Sequence, residues 1–222
     1  MRNRQRTVWC LYVLGAAVAF ASAAHGQGSI AYWQPQTPLG YGAVHPSTIY
    51  RELDLNGDGF IDFAIDSTFI SFAAIVPAGS NRVLAWVAPP PDLDRLVYPV
   101  PEGSMIGSHS AQDSLTWVDS AAPTRGAGIL ACTTLGCIGF WSGLTGYAGV
   151  EFRIGGVTHY GWVRLQTFTD APYGNVLDWA YETQPGVPIL AGAIPEPSTW
   201  ALLLGGGVLL VWFRRKRNDG RG

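Results

Sequence analysis

Positive charge is scarce in the body of this chain. Of 222 residues only one is lysine, Lys216, and between residues 27 and 194 the only cations besides histidine are six arginines, at 51, 82, 95, 125, 153 and 164. Fourteen carboxylates share that stretch, so its net charge is −8, although the whole-chain value is only −2. A body so poor in basic groups lacks the contacts that phosphates require, which argues against a nucleic-acid partner. Cysteine is rarer still: three residues, Cys10, Cys132 and Cys137, with no clustered histidine beside them. That leaves a zinc site without a ligand set. The four histidines, at 25, 45, 109 and 159, are scattered. No Gly-x-Ser-x-Gly turn, His-Glu-x-x-His helix, phosphate loop or dinucleotide fingerprint occurs. Asp92, Asp94 and Glu102 could imitate a glycosidase pair, but they sit in a proline-rich stretch poorly suited to holding catalysts in place. The expectation is a protein that is not an enzyme. Amphipathic helical periodicity and internal repeats are absent too, and so is any apolar run long enough to cross a bilayer comfortably.

The two longest apolar runs lie at the ends. The first, Val8–Ala21, follows Arg2, Arg4 and Arg6 and precedes Ala21-Ser22-Ala23 and Ala24-His25-Gly26. A basic start, a short apolar stretch and small residues at the exit predict a signal peptide over 1–26, with cleavage after Ala23 or after Gly26. The second run, Trp200–Phe213, has 14 residues. As a helix it would reach only about 21 Å, against roughly 30 Å of hydrocarbon. Arg214, Arg215, Lys216 and Arg217 follow at once and favour the cytoplasmic side, which predicts a short C-terminal transmembrane helix and leaves 218–222 as a cytoplasmic tail and the body outside. Ahead of the run stands Pro195-Glu196-Pro197, whose prolines keep the backbone extended and accessible to an enzyme.

This order of parts (Pro195, Glu196, Pro197, then a short apolar segment and Arg214, Arg215, Lys216 and Arg217) resembles the PEP-CTERM sorting signal of Gram-negative bacteria. The resemblance spans 195–217. It implies an exosortase as partner, processing near the Pro-Glu-Pro after transient anchoring in the inner membrane, and a destination at the cell surface or outside the cell, often beside extracellular polysaccharide. Residues 147–165 and 178–192 further resemble the segment that precedes the signal in one subset of these proteins. That likeness implies secretion and an all-β ectodomain, and it supplies no catalytic residue.

The 27–194 body is long enough for one sizeable core. Short β-type runs recur between turn residues: 48–55, 60–66, 82–87, 148–154, 157–167 and 176–182. They predict an all-β, antiparallel β-sandwich or jelly-roll-like ectodomain. The five prolines of 88–103 predict a surface loop there. Around Gly155-Gly156, alternation predicts a two-residue hairpin that pairs Ile154 with Val157, Phe152 with His159 and Val150 with Gly161. One face then carries Val150, Phe152, His159, Val163 and Leu165 and becomes core, with His159 hydrogen-bonded inside it. The other carries Glu151, Arg153, Tyr160, Trp162 and Arg164. Tyr160 and Trp162 make that exposed face a candidate ligand surface, which supports a second reading as a carbohydrate-binding module.

Once Cys10 leaves with the leader, Cys132 and Cys137 remain, and an oxidising exterior favours a local disulfide between them, with Gly136 easing the turn. One motif carries metal chemistry. Asp54, Asn56, Asp58 and Asp62 occupy positions 1, 3, 5 and 9 of a loop whose position 6 is Gly59. With the Phe60 carbonyl they offer the oxygens that calcium takes in a DxNxDG loop. Ile65 stands where an EF-hand has its bidentate glutamate, so a sixth oxygen would come from Asp66 or water, and Ile61 would anchor the loop in the core. The alternative is an ordinary acidic glycine turn between two strands. The reading taken forward is a structural Ca2+.

Overall fold

A computed structural model describes residues 29–42, 50–66, 72–88, 95–112, 114–120, 127–133 and 136–195. The signal peptide, most of the sorting signal (Glu196, Pro197, Arg214, Arg215, Lys216 and Arg217) and the tail 218–222 lie outside the described residues. Among the described residues the chain is all β, with no helix. In chain order the strands are β1 (Ile30–Trp33), β2 (Leu39–Tyr41), β3 (Arg51–Leu53), β4 (Phe63–Asp66), β5 (Phe72–Pro77), β6 (Arg82–Val87), β7 (Arg95–Val97) and β8 (Pro99–Val100). They continue with β9 (Met105–Ile106), β10 (Leu115–Val118), β11 (Ala127–Thr133), β12 (Gly136–Ile138), β13 (Thr145–Ile154), β14 (Val157–Thr167), β15 (Gly174–Glu182) and β16 (Ile189–Leu190).

The backbone of the structure is the β13–β14–β15 meander. Gly155 and Gly156 take φ of 59° and 85°, the left-handed pair that a two-residue hairpin turn needs. The register is the expected one: Ile154 faces Val157, Phe152 faces His159 and Val150 faces Gly161. Between β14 and β15 the register slips after Arg164–Asp178, so that Leu165 pairs with Val176. This bulge inserts one residue and resets the alternation of β15. Val176 and Trp179, three apart, therefore share one core, while Asp178 and Ala180 face the other way.

The main sheet runs β1-β15-β14-β13-β6-β7-β11-β5-β4-β3, and all but the β7–β11 pair are antiparallel along that path. It curls on itself. Phe63 of β4 meets Phe152 of β13 edge-on at 6.5 Å, although four strands separate β4 from β13 in the sheet. The ends approach as well: Arg51 Nε of β3 donates to Gly40 O of β2 at 3.1 Å, and Trp179 Nε1 of β15 donates to Leu55 O, just after β3, at 3.2 Å. The curl encloses a core of Phe63, Ile65, Ile75, Val150, Phe152, Leu165 and Trp141, among others.

Two expectations fail. The stretch 88–103 is not simply a loop, because Val97 of β7 and Val100 of β8 are buried and β7 lies inside the sheet. Its prolines flank Arg95–Val97 rather than interrupt it, so they remove no donor from that strand. The second failure concerns the outer face of β14. Tyr160 and Trp162 are 6% and 1% exposed, in a second core with Leu84, Val100, Ile106, Ala180 and Ile189. The β9–β16 ribbon and β10 cover this face, with Tyr32 of β1 flanking it within the sheet, so the meander is packed on both sides. Glu151, read as a solvent residue, is buried and ion-paired with Arg82.

Candidate functional site

The loop from Asp54 to Asp62 connects β3 to β4 and is closed by its own side chains. Asp54 accepts from Gly57 N through Oδ1 (2.7 Å) and from Gly59 N through Oδ2 (2.8 Å). Asn56 Oδ1 accepts from Asp58 N (3.0 Å), and Asp58 Oδ1 accepts from Phe60 N (2.9 Å). Asn56 Nδ2 donates to Asp58 Oδ2 at 2.9 Å. Gly57 and Gly59 have φ of 76° and 87°, which is why these turns take glycine there. The side chains at positions 1, 3 and 5 thus gather on the loop's own N–H groups, and the backbone oxygen of Phe60 completes the predicted donor set in sequence only.

Asp62 behaves differently from its three partners. It is 6% exposed and turned inward: Oδ2 accepts from Leu55 N at 2.9 Å, and Oδ1 from Asn81 Nδ2 at 3.4 Å. Burial pushes its carboxyl up to about 6; the Leu55 N–H pulls it back, and the charges of Asp54 and Asp58 push it further up. Asn81, a residue that sequence reasoning missed, is the keystone of this corner. Its Nδ2 also donates to Asp62 O (3.1 Å), and its Oδ1 accepts from Arg153 N (3.0 Å), so one buried amide ties the loop to β13. An asparagine closing the Gly79-Ser80-Asn81 turn was the available signal.

Two supporting details of the motif are corrected. Ile61 is 38% exposed and does not anchor the loop; Leu55, 5% exposed, is the apolar residue that enters the core. Asp66 ends β4, four residues from Asp62, and at about 3.3 Å per strand residue it stands roughly 13 Å away, too far to complete a shell. Among the described residues no three His, Cys, Asp or Glu side chains converge as metal ligands do.

A pH dependence follows from Asp62. A carboxyl with a folded pKa of about 6, above its unfolded value, holds its proton more tightly in the folded chain. The stability this gives is full below pH ~4 and is lost as pH rises through 6, on the order of 2–3 kcal/mol in all. With chelator present, thermal unfolding of the protein should therefore weaken from pH 4 to 6.5 by more than that of Asp62→Asn, which keeps the acceptor for Leu55 N. Equal slopes for the two proteins would refute the assignment.

Elsewhere, His159 is buried and its Nδ1 lies 2.8 Å from Glu182 O, the hydrogen-bonded core histidine that the pattern predicts. Cys137 is disulfide-bonded, and Cys132 is directly opposite it in the β11–β12 ladder. The corrected Tyr160–Trp162 surface offers no platform for a sugar ring.

At its C-terminal end the body holds the chain to the last few described residues. Ala191 N donates to Ser104 O, and Gly103 N donates to Ala191 O, both at 2.9 Å; Ala193 N donates to Leu190 O at 3.0 Å. Pro195 is exposed. Residues 193–217 match the family model of the PEP-CTERM protein-sorting motif. The chain carries a PEP-CTERM sorting motif. The PEP-CTERM motif supports an exosortase-sorted protein that is exported and processed at the membrane of Gram-negative bacteria. No curated protein and no solved structure matches the chain.

Proposed function

We propose that this is a non-enzymatic surface or extracellular-matrix protein whose β body is stabilised by calcium in the Asp54–Asp62 loop. The sorting motif that begins at Ala193, directly on the end of the β body, carries the first part of this reading. His159 is occupied in the core, which leaves it no catalytic role. Extracellular polysaccharide remains a partner by destination, because Tyr160 and Trp162, the face that supported a carbohydrate-binding module, are core.

The calcium reading rests on the chemistry of the donor set. Asp54, Asn56, Asp58 and the Phe60 carbonyl supply only oxygen, which suits a hard cation, and each carboxylate oxygen that already accepts an N–H keeps a second lone pair. The mutual repulsion felt by Asp62 is what a divalent charge would relieve. Uptake would draw the side chains closer together than the loop's own hydrogen bonds hold them. The expected dissociation constant is therefore that of extracellular modules, about 10⁻⁴–10⁻³ M. Isothermal titration of residues 27–194 should show calcium heat that Asp58→Ala weakens at least tenfold. Identical heats for the two proteins would end the calcium reading and leave the export reading untouched.

A further inference from the structure

The β9–β16 ribbon covers the second core with one face and leaves the other open. Ile106 and Ile189, paired across it, are fully or almost fully buried. The next pair, Met105 and Leu190, points outward and is 64% and 48% exposed. Ile194, 52% exposed, follows four residues after Leu190. Three large apolar side chains thus stand where the chain leaves the body, and none of them is charged. Past Ala193, the last of the described residues with a backbone bond to the body, residues 194–199 separate it from the apolar run that begins at Trp200. Six residues, fully extended, span about 20 Å.

We infer that the open face of the β9–β16 ribbon, with Met105, Leu190 and Ile194, docks on the bilayer interface while the chain is tethered through residues 200–213. The inference rests on the reading that this run enters the bilayer. With so short a tether the patch cannot leave the neighbourhood of the lipid, and contact becomes an intramolecular event at an effective concentration in the millimolar range. Three side chains suffice under that condition and not without it. Exposed Glu102 lies on the rim, its Cγ close to Gly192, and the body carries −8, so the surface that fits is zwitterionic lipid rather than an anionic one. Cleavage near the Pro-Glu-Pro removes the tether and with it the docking, so processing by itself frees the domain from the membrane.

The test uses the full chain with Cys10→Ser, in phosphatidylcholine vesicles containing spin-labelled lipid. An environment-sensitive fluorophore is placed in turn at Met105→Cys, at Leu209→Cys in the apolar run, and at Val157→Cys on the Gly155-Gly156 turn. Val157 lies seven strand residues beyond Tyr147, against which Gly192 packs, so about 24 Å of β-strand separates it from the point where the chain leaves the body; Gly186, bonded to Thr158 O, is four residues before Leu190, so about 13 Å of extended chain separates Thr158 from the patch itself. Quenching of twofold or more is expected at 209 and 105 and none at 157, and Leu190→Asp should abolish it at 105 while sparing 209. An unquenched 209 probe would show that the run is outside the lipid and overturn both the bilayer reading of 200–213 and the docking. A quenched 209 probe with an unquenched 105 probe would overturn the docking alone. Shielding at 105 only when the processing enzyme is present would assign the patch to a protein, which also overturns it.

Discussion

Trp162→Ala is expected to lower the stability of the domain by about 3–5 kcal/mol, whereas Trp162→Phe should cost about 1 kcal/mol or less. Trp162 is 1% exposed and packs edge-on against Tyr147 at 5.1 Å, with Tyr32 at 6.2 Å, so truncation to alanine opens a cavity between three covering elements. Its indole N–H, however, has no acceptor among the described residues. Phenylalanine gives up some volume but also removes a buried donor that makes no bond, and the two effects oppose each other. Trp141 is the contrast. It is equally buried, but its Nε1 donates to Val97 O at 2.9 Å, so Trp141→Phe loses a bond that Trp162→Phe does not and should cost about 1–3 kcal/mol. Urea unfolding of the three variants checks the ranking. Equal costs for the two phenylalanine variants would mean that both indoles are bonded. The result also bears on function. Lost polysaccharide retention in Trp162→Ala would report unfolding, and only a variant with a wild-type midpoint could speak for stacking on sugar.

What was legible in the sequence was local, and what was not depended on elements too short to carry a period. Two glycines between alternating runs were enough to predict the β13–β14 register, because a two-residue turn and a period of two leave no freedom. The same alternation misassigned Tyr160 and Trp162. Amphipathic rings opposite a hydrophobic face look like solvent residues, and the covering β9, β16 and β10 are only two to four residues long. Phe72–Pro77 and Ala127–Thr133 were also missed: Ala73, Ala74 and Ile75 in the first and Ala127 and Ile129 in the second are buried, and apolar and small residues follow one another there without alternation. In the acidic loop, spacing identified which residues carry oxygen but not their direction. Asp62 turns inward because Leu55 N and Asn81 both lie on that side, and Asn81 is 19 residues away in sequence. The sorting motif was the most legible feature, since an address read by an enzyme in the membrane has to be written in consecutive residues.

Arg164→Met should cost about 3 kcal/mol, because it strands a buried charge. Asp178 is 1% exposed and ion-paired with Arg164, whose Nε donates to Asp178 Oδ1 at 2.9 Å; Tyr32 Oη donates to Asp178 Oδ2 at 3.0 Å. The bulge of β15 aims Asp178 at this face, and the triad joins β1, at one end of the sheet, to β14 and β15. About a third of the arginine side chain remains exposed, so solvent screens part of the attraction, and the lower end of the buried-pair range applies. Most of the loss is then the cost of an unpaired carboxylate rather than of a missing contact. Arg164→Met combined with Asp178→Asn should therefore recover at least half of the stability lost by Arg164→Met alone, a coupling that thermal or urea unfolding of the two singles and the double resolves. Additive costs would show that the pair contributes packing alone and that β1 is held by its ladder to β15.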